Sequence, residues 1–230
     1  MIHSAYAMDK NGNIVEATQG LGRKSKELGL NYYCGGCKRI VFPYTEGKKQ
    51  VPHFRHQKSQ FNKLSCGNNE SYIHWISKEL FAYFYQETLE FELIIDSKMW
   101  CDKDKNYNAF ETDKEIINLK NYYPSIIVEQ KDGEFIPDCM VYNYKGDKVY
   151  IEIKHKSGVS QKKIDSGIPI IEINTFSEKV MEKIIREQKL DTISSMYTPV
   201  TLYNFDKFIY KEILECKNLF TMNLNPTSTS

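Results

Sequence analysis

A chain of 230 residues with 31 basic and 30 acidic side chains, and 41% hydrophobic residues, is long enough for one sizeable domain or two smaller ones. Its formal charge of +1 excludes a global basic field, so any nucleic-acid contact must come from a local patch. No apolar run approaches a membrane span, and the N-terminal MIHSAYAMDKNG lacks a basic-then-apolar leader, so the expectation is a cytoplasmic protein with no membrane partner.

Six cysteines do not make a disulfide framework at this length, and Cys clustered with His points to metal instead. The chain begins with alternating runs at 5–8 and 14–17 about Asp9-Lys10-Asn11-Gly12, which predicts a hairpin. Residues 20–29 read as a basic, glycine-punctuated connector. Its lysines and Arg23 are candidates for phosphate contact, and a solvated loop is the plainer reading.

The stretch 33–66 carries the first chemistry. Cys34-Gly35-Gly36-Cys37 is a Cys-x2-Cys knuckle, followed by a strand at 39–42, a turn near Glu46-Gly47, then His53-Phe54-Arg55-His56 and Cys66. A redox Cys-x2-Cys should open a helix after a strand, whereas this one lies between strand-like runs. A tetrahedral Cys3His zinc site is favoured, from Cys34, Cys37, Cys66 and either His56 or His53. Four protein ligands leave no open position, so the role of this zinc is structural, in a lobe with little core of its own.

Asn68 and Asn69 can cap a helix whose apolar face is Ile73, Ile76, Ser77, Leu80, Phe81 and Phe84. Glu70 lies in its first turn in line with that face, with His74 and Lys78 drifting towards the edge. A carboxylate aimed at the core is costly unless paired or metal-bound, while favouring the helix dipole is the bland alternative.

Residues 90–96 read as a strand and 98–123 as polar and mixed, with the run CDKDK a solvated loop. Strands at 125–130, 135–143 and 148–155 form a meander, with Pro137 marking a bulge or edge in the second. A helix at 160–166 leads into a short apolar strand at 169–174, which the short crossover sets parallel to 149–153. A helix at 177–188, a strand at 198–203, a helix at 205–216 and a frayed tail complete the chain. Cys101, Cys139 and Cys216 read as ordinary thiols. Lys156, Lys162 and Lys163 read as phosphate contacts or as a solvated face.

The second chemistry lies in the meander. With the turn centred on Lys145-Gly146, Asp138 falls opposite Ile153, beside Glu152 and Lys154. Two carboxylates and a lysine at one sheet position suit a divalent-metal phosphodiesterase. Asp138, Glu152 and the Ile153 carbonyl hold Mg²⁺ or Mn²⁺, and Lys154 orients the attacking water.

This Asp…Glu-x-Lys pattern resembles the PD-(D/E)xK nuclease superfamily. With Cys34-x2-Cys37, His53-x2-His56, Cys66 and Glu70-Ser-x2-His74-x3-Lys78 in order before it, the stretch 33–174 resembles the competence protein CoiA-like family. The resemblance implies an α/β (α+β) fold: a restriction-endonuclease-like core of mixed sheet flanked by helices, behind a small β-rich zinc lobe. The expected division is 1–67 for the lobe, 68–222 for the core and 223–230 for the tail. It implies Asp138 and Glu152 as metal ligands, Lys154 as catalytic lysine and Glu70 as an auxiliary ligand or water-orienting carboxylate. The implied activity is a DNA nuclease, endo- or exonucleolytic, in DNA uptake or in defence against foreign DNA. Departures are Gly35 where relatives often carry proline, Arg55 where they carry a small residue, and Lys154 where many carry Gln. The rival readings are a zinc-stabilised nucleic-acid-binding module that cuts nothing, and a subunit docking a partner protein or a second copy of itself.

Overall fold

The computed structural model describes residues 4–47, 51–56, 69–96, 114–154, 157–193 and 200–205, and shows a mixed α+β protein. The first stretch gives β1 (Tyr6–Met8), β2 (Ile14–Glu16), α1 (Leu21–Leu28), β3 (Tyr32–Tyr33), β4 (Ile40–Tyr44) and β5 (His53–His56). Then come α2 (Asn69–Glu87), β6 (Glu92–Asp96), β7 (Lys114–Asn118), α3 (Leu119–Tyr122), β8 (Ser125–Val128), β9 (Cys139–Tyr142) and β10 (Lys148–Lys154). The chain continues through α4 (Gln161–Ile164), β11 (Ile170–Asn174), α5 (Glu178–Glu187), β12 (Lys189–Asp191) and β13 (Val200–Tyr203). The helix expected at 205–216 falls, beyond Phe205, outside the described residues.

The chain divides into two units. The first comprises Met1–Thr88, Ile153–Gly158 and Asn174–Gln188, and the second Leu89–Glu152, Val159–Ile173 and Lys189–Ser230. In the first, five antiparallel strands run in the order β2-β1-β3-β4-β5, with Ala7, Tyr32, Val41 and Phe54 buried. Residues 20–29, expected as a connector, instead contain helix α1. Gly20 and Gly29, both at positive φ, bracket it, and the Gly29 N–H closes on the Ser25 carbonyl. Leu21 and Leu28 are too sparse a stripe to announce a helix of eight residues.

Helix α2 packs against α5. It is buried on more than one side: Tyr72, Trp75, Ile76, Leu80, Phe81 and Tyr85 are all below one-tenth exposed. Lys78, expected at the helix edge, is only 5% exposed. The Tyr72 hydroxyl donates to the Glu178 carboxylate, which also accepts from the Ala5 N–H at 3.2 Å, so α2, α5 and the start of β1 share one buried polar knot.

The second unit holds a five-stranded sheet, β13-β11-β10-β9-β8, and a smaller one, β12-β6-β7. The smaller sheet is unexpected. Strand β7, KEIIN, lies within the polar, mixed stretch to which the sequence assigns no strand, and β12 adds parallel to β6 through Leu190 beside Leu93. The meander β8-β9-β10 is antiparallel as expected, but β9 starts at Cys139, so Pro137 and Asp138 precede the strand rather than interrupt it. Cys139 is fully buried in the sheet, as an ordinary thiol should be, and Cys101 and Cys216 lie outside the described residues.

The register of β9 on β10 differs by one residue from expectation. Asn143 organises the turn. Its Oδ1 accepts from the Lys145 and Asp147 N–H groups at 2.9 and 3.0 Å, and its Nδ2 donates to Asp147 and to the Tyr122 carbonyl. This closes the ladder at Tyr142 with Lys148 and pairs Cys139 with Ile151. One further step sets Asp138 across from Glu152, not Ile153. A one-residue slip flips faces, so the observed register is the one that puts both carboxylates on the same side.

Candidate metal centre and carboxylate row

Two backbone bonds close the knuckle: Cys34 N–H to the Arg39 carbonyl and Lys38 N–H to the Cys34 carbonyl, both 2.8 Å. The second requires Lys38 at φ 59°, the left-handed region. Gly35 is also obligatory, because a Cβ there would fall within the Trp75 indole of α2. That explains the glycine where the resemblance leads one to expect proline.

Cys34, Cys37 and His56 bring their ligand atoms within 4.8 Å of one another, with Cys37 Sγ 3.2 Å from His56 Nε2. Two such atoms on a tetrahedral zinc sit about 3.5 Å apart, so the donor set and spacing fit a metal ion. Burial first, and Arg39 second, hold His56 below the ordinary imidazole range, favouring the neutral ring that ligates. His53 does not belong to this cluster. Three residues away on β5 it faces the other side, where its Nδ1 lies 2.9 Å from the Val51 carbonyl and its ring stacks on Tyr44. Cys66 lies outside the described residues. Glu70 stands in the first turn of α2 by its backbone alone, and His74 is half-buried.

The second unit places three carboxylates on adjacent strands. Asp138, half-buried, stands one ladder step beyond β9, and its carbonyl accepts from Glu129 N–H at 3.1 Å. Glu152 lies across from it on β10. The bonds Tyr150 N–H to Pro169 carbonyl and Thr175 N–H to Lys154 carbonyl run β11 parallel to β10 and set Glu172 beside Glu152. Glu172 is 2% exposed, and its Oε2 accepts from the Val159 N–H at 2.7 Å. Thr201 of β13 continues the row.

Lys163, presented by α4, reaches Glu152 Oε1 at 2.7 Å, each side chain 14% exposed. It is therefore an internal countercharge, not the solvated or phosphate-facing lysine expected. Lys162 does stay at the surface, paired with Glu134 at 2.7 Å, and Lys156 lies outside the described residues. Lys154 ends β10, half-buried, in the first unit.

The donor chemistry of the row, carboxylate oxygen, suits a hard cation. Among the described residues, however, only the Cys34, Cys37 and His56 atoms close to within ligand distance as a set of three. The Glu152 oxygen committed to Lys163 must be freed for a cation to take it. Glu172 is the member that sequence reasoning missed, and Lys163 was named but given another role. The available signal was a carboxylate inside an apolar parallel strand, IIEIN, where burial is costly without a partner. No protein-family profile matches this chain, nor does any curated protein or solved structure.

Proposed function

We propose that the protein is a Mg²⁺- or Mn²⁺-dependent DNA nuclease of the PD-(D/E)xK kind, similar to the CoiA-like family, with a structural zinc. One observation carries the reading: Asp138, Glu152 and Glu172 occupy neighbouring positions on one face of the sheet, with a half-buried lysine on the middle one. A half-buried row of acid has a high desolvation cost, and a cation site is a reason to keep it.

In this reading Asp138 and Glu152 would hold the cation, and Glu172, fixed by the Val159 N–H, would orient its neighbours. When bound, the cation supplies charge stabilisation to the phosphoryl group and lowers the pKa of the attacking water. Lys154, two residues on from Glu152 along β10, would position that water. Lys163 balances the Glu152 charge, and a cation held there would compete with it for Oε1. Cys34, Cys37 and His56, with Cys66 as the fourth ligand, would hold the zinc.

The Lys163–Glu152 pair also favours a second reading, a nucleic-acid-binding module whose acidic row is permanently neutralised and cuts nothing. Cleavage of linear, circular and single-stranded DNA, with Mg²⁺ or Mn²⁺ against metal-free buffer, separates the two. Metal-dependent cutting abolished in Glu152→Ala and in Asp138→Ala supports the nuclease. DNA bound but uncut by the wild-type protein supports the module.

A further inference from the structure

The basic segment 20–29 finds a place in the structure as one wall of a cleft. Helix α1 docks on β4 through the Gly22 N–H, which donates to Thr45 Oγ1 at 2.8 Å. A Cβ at Gly22 would lie 3.1 Å from that oxygen and 3.2 Å from the Pro43 carbonyl, so the close approach depends on the glycine. The result is a cleft of about 750 Å³, lined among others by Arg23, Lys26, Leu30, Phe42, Tyr44 and Glu46.

Its chemistry is aromatic and cationic together. Phe42 and Tyr44, two residues apart on β4, are each 41% exposed. Arg55, directly across from Phe42 on β5, lays its guanidinium on the Tyr44 ring with the carbon 3.1 Å from the ring centroid. Phe42 has no ring partner among the described residues, so a large flat apolar surface faces solvent beside a cation. Glu46 is the acidic group of the lining, and it is already committed to Arg23, side chain at 3.8 Å and backbone N–H at 3.2 Å. Among the described residues Lys24 and Lys26 form no ion pair.

We propose that this face binds single-stranded nucleic acid: a base stacks on Phe42 against the Arg55–Tyr44 pair, and Lys26 and Arg23 take the flanking phosphates. An exposed ring needs an unstacked base, which a duplex does not offer, and the cations match a phosphate chain. The inference takes its partner class from the proposed function but does not depend on cleavage.

The test uses the full-length, zinc-loaded Glu152→Ala protein without added divalent cation, so that binding is read with no cutting. Fluorescence anisotropy is measured with a labelled single strand of about 15 nucleotides and with a duplex of the same sequence. The single strand is expected to bind more tightly. Phe42→Ala should weaken it about five-fold or more, Phe42→Tyr should restore it, and Arg23→Gln with Lys26→Gln should flatten its salt dependence. Photocrosslinking of a bromouracil-substituted strand to the parent protein should map to β4. Equal or tighter duplex binding, an unaffected Phe42→Ala variant, or crosslinks away from β4 would overturn the proposal. Wild-type protein that binds the strand at β4 but cuts no DNA would remove the nuclease reading alone.

Discussion

Replacing Lys163 by methionine tests both the packing and the proposed chemistry. The Lys163–Glu152 pair is 2.7 Å long with each side chain 14% exposed, between a surface pair and a fully buried one. Exposed pairs contribute about 0–1 kcal/mol, and breaking a buried pair costs about 3–5 kcal/mol, so the expected loss is about 2–3 kcal/mol. The neighbour raises this cost rather than lowering it, because Glu172, 2% exposed, stands beside the orphaned carboxylate on β11. For a chain of this length the loss corresponds to a fall in Tm of about 5–10 °C. Adding Glu152→Gln should recover most of it, because the uncompensated charge is gone. If a cation shares the Glu152 oxygens with Lys163, Mn²⁺ should stabilise Lys163→Met by about 2.7 kcal/mol at one hundred times that variant's Kd, and the wild type by less at the same concentration. Urea and thermal unfolding at neutral pH, with and without Mn²⁺, read both effects. A loss below about 0.5 kcal/mol would refute the ion-pair reasoning. Absence of any Mn²⁺ effect in Lys163→Met would refute the cation site.

Three further outcomes are expected. Lys38→Gly should raise stability by about 0.5–1 kcal/mol in urea unfolding, since relief of the left-handed backbone outweighs the flexibility that glycine adds to the unfolded chain. Gly35→Ala should cost about 1–3 kcal/mol and weaken metal retention, read as zinc per chain by elemental analysis, because the Trp75 ring occupies the Cβ position. Glu178 is held above its usual range chiefly by burial, against the opposing hydrogen bonds from Tyr72 and Ala5. A raised carboxyl contributes stability at low pH that is lost as pH climbs through the folded-state value. Glu178→Gln should therefore remove a decline in stability on the alkaline side of pH 4.5, measured as urea midpoint against pH.

Sequence alone determined whatever is local. The hairpin at the N-terminus, the meander and the helices at 69–87 and 178–187 follow from alternation, helical spacing and turn residues that act within a few positions. Cys34, Cys37 and a histidine of the HFRH strand were legible as a metal set, because donor type and spacing are themselves sequence properties. Which histidine it is was decided by the strand, whose alternation turns His53 to Tyr44 and His56 to the knuckle. The short helix α1 was hidden because its two end glycines look like loop punctuation, and β7 and β12 because sheet partners compensate their weak patterns. The carboxylate row was only half visible. Asp138 and Glu152 could be named, but their common face depended on Asn143, which shifts the turn by one residue. Glu172 and Lys163 join them because β11 lies parallel beside β10 and α4 reaches back over it. Those pairings are fixed by burial across the whole sheet, a sum over distant residues that no local window of sequence contains.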